Sequence, residues 1–444
     1  MSLAALTVGA VAAGGCTSSV ESPKFPLSVT SGKRYLEDAD GRPFFMHGDT
    51  AWSLIAQLTR EEADLYLRDR NARGFNTILV NLLEHRFADN APANIFGDLP
   101  FAKDGDYGSP NERYFKHADW ILARACELGF LVLMTPSYAG NDGGPEGWYQ
   151  EMKESGPASL RAYGRFLATR YRDLDNILWV HGGDYDPPDK DLVRALVEGI
   201  RDVNPEALHT AHGSPGSAAL DFWAGEPWIK LNNVYTYDEV FPDALAQYRR
   251  REAMPFILME SGYENEHGTD AHRVRVQSYQ AILSGASGHL FGNNPIWHFD
   301  GPGIYPAPVS WQQGLDSPGA RSMTVLHDLI ASVKWWLLEP DQGRLLLDGW
   351  TIAGARTVAA SATDGSFALV YLPIGREIIL DLRRLSGPLV AARWLDPASG
   401  ASTPVNGSPF QAGIVMLSPN ANSGADRKDW MLELVSEAEV EPSQ

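Results

Sequence analysis

Cysteine is nearly missing from this chain: two in 444 residues, Cys16 and Cys126. No disulfide framework can therefore hold the fold. Positive charge is scarce as well. Lys and Arg total 37 against 56 Asp and Glu, a formal net charge of −19. That balance argues against nucleic acid or an anionic membrane face as partner, because both need a basic footprint. No stretch is long and apolar enough to span a bilayer. No Gly-rich phosphate fingerprint follows the first apolar strand, and HExxH, paired Cys ligands and an EF-hand loop are all missing. Ser214 and Ser261 lack the GxSxG elbow of a nucleophilic serine.

What is present starts with the leader. LTVGAVAAGG precedes Cys16 and TSSVESP follows it, a short apolar run and then a flexible tether. The pattern resembles a bacterial lipoprotein signal, with Cys16 as the lipidated first residue of the mature chain, although no Lys or Arg precedes the run. Residues 1–24 are thus read as export signal and tether, and the protein as periplasmic or anchored to the outer membrane. Cys126 lies in the apolar-periodic run RYFKHADWILARACELG and reads as a buried core thiol.

Residues 25–341 alternate strand and helix. A β-hairpin is predicted first, then strands at Phe44–His47, Phe75–Leu83, Phe130–Pro136, Ile177–His181, Leu208–His212, Trp228–Tyr237, Phe256–Glu260 and Gly288–Asn293. Amphipathic helices separate most of them. One opens on a capping box, Thr59 with Glu62. Others carry apolar faces at Phe115, Ala118, Leu122 and Ala125, and at Leu192, Leu196, Ile200 and Val203. GSPGSAALDFWAGEP, between strands five and six, holds too much Gly and Pro for a long helix. Eight such units predict a (β/α)8 barrel, with a doubly wound sheet as the competing architecture. From residue 342 short alternating runs separated by turn signals predict an antiparallel β-sandwich to residue 435, and 436–444 an acidic disordered tail.

In a parallel barrel, catalytic groups sit at the C-terminal ends of strands. ILWVHGGD puts Asp184 after two glycines at strand four, and PFILME ends strand seven on Glu260. Two carboxylates facing each other across the mouth suit glycoside hydrolysis, one protonating the leaving oxygen and the other attacking or activating water. The bland alternative has Asp184 capping the next segment and Glu260 pairing with an Arg such as Arg86. Further rim candidates for substrate binding are His47, Asp49 and Trp52 after strand one, and Asn81 after strand two, where Glu84 and His85 follow. His212 ends strand five, Tyr235 and Tyr237 end strand six, and Trp297 lies beyond strand eight. No metal or other cofactor is expected. Thirteen Trp supply flat faces for sugars, or equally for barrel packing.

HGDTAW, FNTILVN, WVHGGD, MESGYE and GASGHLFGNNPIW together resemble the apiosidase-like glycoside hydrolases, over nearly the whole chain. Relatives carry a C-terminal β domain labelled collagen-binding. The resemblance implies a retaining enzyme with Glu260 as nucleophile and Asp184 as acid/base, releasing a sugar such as apiose from pectic polymers. Arabinofuranosidase-like and glucosidase-like activities stay open. So do two other classes: a non-catalytic surface protein that binds carbohydrate or collagen, and a metal-dependent barrel hydrolase.

Overall fold

The computed structural model describes residues 23–350, 355–419 and 428–437. Cys16, the leader and the tail beyond Glu437 lie outside these residues. A small three-stranded antiparallel sheet, Ser28–Val29, Leu36–Glu37 and Pro43–Phe44, stands where a single hairpin was expected. Eight parallel strands follow: β1 Met46–Thr50, β2 Thr77–Asn81, β3 Leu131–Thr135, β4 Ile177–Gly182, β5 Leu208–His212, β6 Asn232–Tyr235, β7 Phe256–Glu260 and β8 Gly288–Phe291. Seven neighbours in this ring share a strand ladder, with β8 returning to β1. The β5–β6 seam is looser. It is closed by a bridge between His209 and Ile229 and by the Thr210 hydroxyl, which donates to the Leu231 carbonyl at 2.7 Å. The helix across that seam is one turn, Ala219–Phe222, as the Gly and Pro content foretells.

The barrel is filled, not hollow. Met46, Leu79, Leu131, Leu133, Leu178, Val180, Ile257, Met259 and Leu290 form its interior, each on alternate residues of its strand. The opposite residues meet the helix layer. There the Thr59–Glu62 capping box is fully formed, and Phe115, Ala118, Leu122 and Ala125 are all buried. Val203 differs: it ends its helix and is exposed, because the helix runs past its packed face. Cys126 is only half-buried, at the rim of that layer and not in the core.

Strand β7 carries an irregularity that matters. Phe256 and Leu258 face the helix layer and Met259 the interior, so simple alternation would send Glu260 outward. The pairing with β6 shifts register between Leu258 and Glu260, and the extra residue turns Glu260 toward the mouth.

The C-terminal part is a β-sandwich. A seven-stranded antiparallel sheet includes Leu338–Pro340, Val358–Ala362, Phe367–Leu372, Leu389–Leu395 and Trp430–Glu437. Its first strand starts four residues before the expected boundary. Its last takes in Ser436 and Glu437, which the sequence reading had assigned to the tail. A three-stranded sheet of Leu346–Asp348, Ile378–Asp381 and Ile414–Leu417 covers one face. The inner faces share a core of Val370, Leu380, Val390 and Leu432 among others. The other face of the large sheet belongs to the barrel. Ala360, Leu369, Tyr371 and Met431 join the same apolar cluster as Tyr279 and Met323 on the barrel helices. Arg275 donates twice to Asp429 at this junction, at 2.7 and 2.8 Å, and the Tyr371 hydroxyl donates to the same carboxylate. Among the described residues no helix is long and apolar enough to cross a membrane.

Candidate active site

The mouth gathers three ionisable groups. Glu260 accepts from His212 Nε2 at 2.8 Å, and His212 Nδ1 lies 3.4 Å from Asp184. One oxygen of each carboxylate and a ring nitrogen of His212 all lie within 4.8 Å of one another. Asp184 and Glu260, from strands across the barrel, thus straddle one imidazole. Glu260 also accepts from the Tyr237 hydroxyl at 3.0 Å, and Tyr237 and Tyr235 share a hydrogen bond of 3.1 Å. The Tyr235 and Tyr138 hydroxyls lie beside Asp184 and favour its charged form. The Arg86 alternative fails, because that side chain pairs with Glu146 at 3.7 Å.

The glycines before Asp184 are required by close approach. Gly182 has φ +93°, and a Cβ there would meet the His212 carbonyl oxygen at 2.3 Å. A Cβ on Gly183 would meet Ala139 N and the Tyr138 ring at 2.8 and 2.9 Å. The space beside these glycines is therefore filled by protein, not left for a ligand.

The electrostatics act strongly on Asp184 and His212. Burial and the Glu260 charge push the Asp184 carboxyl up to about 7, against the pull of His212 and the two tyrosines. Burial opposes charge on His212, but its hydrogen bond to Glu260 and the charges of both carboxylates raise it to about 9. At neutral pH the ring is an imidazolium. These three residues are the one group among the described residues that could hold a metal ion. A metal there would have to displace the His212 proton, which both carboxylates hold in place.

A narrow inner cavity of about 80 Å³ is lined by Trp52, Asn81, Tyr138, Glu260 and Trp297, with Asp184 and Glu266 at its edge. It opens into a groove of about 1200 Å³ that runs past Tyr235, His267 and Arg273 to Ala355 and Ile374 of the sandwich. Asp184 lines both spaces, whereas Glu260 lines only the inner one. Trp52 donates through Nε1 to Tyr263 at 2.8 Å, and Trp297 through Nε1 to Glu266 at 2.8 Å, so both indoles are fixed as walls.

His47 and Asp49 are not in this site. Both are fully buried behind β1, because the strand runs to Thr50 and its odd-numbered residues face the helices. His47 stacks on Phe75 and hydrogen-bonds His289 at 2.9 Å. Asp49 accepts from Tyr66 at 2.9 Å and pairs with Arg70. Glu84 is a loop brace: one oxygen accepts from the backbone N–H groups of His85, Arg86 and Phe87. Sequence reasoning missed Tyr138, Tyr263 and Glu266. Tyr138 and Glu266 lie beyond strand ends, in loops where periodicity carries no signal.

Residues 30–337 match the family described as "Apiosidase-like, catalytic domain". Residues 340–435 match that described as "Putative collagen-binding domain of a collagenase". A solved structure titled "Glycoside hydrolase" is 24% identical, covering 92% of this chain and 96% of that one at a TM-score of 0.81. A glycoside hydrolase family 5 structure from Bacteroides vulgatus ATCC 8482 is also 24% identical, covering 92% and 93% at a TM-score of 0.82. Comparison with curated proteins gave no match. The matched catalytic domain makes the chain an enzyme of the glycoside hydrolase class. Within it, the chain belongs to the apiosidase-like catalytic domain family.

Proposed function

We propose that the chain hydrolyses a glycosidic bond with retention of configuration, releasing a sugar from plant cell-wall, pectic oligosaccharides. The observation that carries this reading is the placement of two carboxyl groups, from strands on opposite sides of the barrel, on either side of His212 at one mouth. Glu260, hydrogen-bonded by Tyr237 and His212, is the nucleophile. Asp184, raised toward neutrality, holds the proton that the leaving oxygen needs. Their placement fits too: the acid borders the outer groove, through which the leaving group departs, and the nucleophile lies inside.

In the first step a Glu260 oxygen bonds to the anomeric carbon while the bond to the leaving oxygen breaks and Asp184 gives that oxygen its proton. In the second, water attacks the same carbon, the ester to Glu260 breaks, and the water proton passes to Asp184. Oxygens within 4.8 Å suit this route, which needs carboxyl groups about 5–5.5 Å apart, better than inversion at about 6.5–9.5 Å. Proton NMR of the first-formed product tests it. The substrate's own anomer is expected to appear first; initial appearance of the opposite anomer rejects the double displacement.

A further inference from the structure

The acid–nucleophile pair leaves Glu266 without a role, yet its placement is specific. Its neighbours Asn265 and His267 both have left-handed backbones, φ +72° and +49°, a strained arrangement for residues other than glycine. The turn is tied shut: Glu266 N–H donates to the Tyr263 carbonyl at 3.0 Å, and Thr269 N–H to the Glu266 carbonyl at 2.7 Å. Asn265 Nδ2 anchors it to the Asn294 carbonyl at 2.9 Å. The result aims the Glu266 carboxyl between the inner cavity and the groove, with one oxygen held by Trp297 Nε1 at 2.8 Å.

We propose that Glu266 is a specificity-determining residue that binds a hydroxyl of the sugar in the inner cavity, and that this sugar is neutral. The inference rests on the hydrolase reading above and names its substrate class. Among the described residues, Asp184, Glu260 and Glu266 line the inner cavity and no Lys or Arg does. A uronic acid there would add a fourth carboxyl where the one cation at the mouth, His212, is already engaged by Glu260 and Asp184, whereas a sugar hydroxyl can donate to the second Glu266 oxygen. Burial, with the Glu260 charge, also pushes this carboxyl up to about 7 against the pull of Trp297, so near neutral pH it can donate as well as accept.

The test uses wild type, Glu266→Ala and Glu266→Gln with the 4-nitrophenyl glycosides of apiose, arabinofuranose and glucose, monodeoxy analogues of the best one, and 4-nitrophenyl glucuronide. Wild type is expected to cleave a neutral glycoside and to leave the glucuronide at least a hundredfold slower. Glu266→Ala is expected to lose about 10–150-fold in kcat/KM, the worth of a hydrogen bond to a charged group, mainly through KM. Glu266→Gln, which keeps the acceptor for Trp297, is expected to recover most of it. One deoxy position should cost wild type the same factor and Glu266→Ala nothing. Equal losses for both enzymes at every deoxy position, or glucuronide cleaved as fast as the neutral glycosides, overturn the inference and leave the hydrolase reading intact. Activity on a natural oligosaccharide unchanged in Asp184→Ala, or no cleavage of any glycoside by wild type, overturns both.

Discussion

Two regions of this barrel bury histidines and carboxylates, and they treat them oppositely. Behind the sheet, Asp49 is answered by Arg70 and Tyr66. The histidines there stand in pairs, His47 with His289 and His181 with His209, each at 2.9 Å. Burial lowers all four well below the ordinary histidine range, so each pair is neutral. At the mouth, His212 is charged and two carboxyl groups compete for it, with a third nearby. The charges behind the sheet are matched and closed off. Those at the mouth are left in imbalance beside open space, which is where pKa values suited to catalysis arise.

The largest effect expected from breaking this contrast is at Asp184. Asp184→Ala should lose about 10²–10⁴-fold in kcat on substrates with poor leaving groups, with partial rescue by azide, followed by release of 4-nitrophenol and of a sugar from a natural oligosaccharide. An unchanged rate removes Asp184 from the chemistry. Asp49→Asn should do the reverse and cost up to about 3–5 kcal/mol of stability, because the buried Arg70 guanidinium would keep only Asp69 and the Leu315 carbonyl as partners. Urea denaturation measures it, and a loss below about 1 kcal/mol contradicts the pairing.

A third expectation concerns pH. Asp184 must be protonated to act as acid, so kcat/KM should decline as pH rises through about 7, tenfold per unit beyond it. A profile flat to pH 9 would refute this. The smallest effect sets the two histidine groups against each other. His212, raised to about 9 from 6.5, contributes stability that is full below about 6.5 and lost as pH rises through 9. The stability gap between wild type and His212→Gln should therefore shrink from pH 6 to 10. His181, lowered to about 3, contributes the opposite way: its stabilisation is full above about 6.5 and drains away toward pH 3. His181→Gln should accordingly flatten the acid side of the stability curve; a parallel curve would contradict the neutral pair.

This contrast also explains what the sequence could show. The strand ends were legible because β4 and β7 are short apolar runs that finish on an acid. For Glu260 the position was readable, but its direction depends on the register shift in β7, which pairing with β6 creates and no local pattern announces. At β1 the opposite occurred. HGD has the look of a rim motif if the apolar run ends at His47, whereas the strand continues to Thr50 and alternation turns both side chains away. Glu266 was illegible for a third reason: its aim comes from two left-handed residues in a loop.

The large C-terminal sheet, apolar on both faces, has a practical meaning for anyone who would cut this protein in two. A fragment ending near Leu337 would leave the barrel helices around Tyr279 and Met323 wet, and the remainder would show water the side bearing Leu369 and Met431. Each piece would carry a sticky, uncovered flank that invites self-association, so the halves should melt together and be handled as one body.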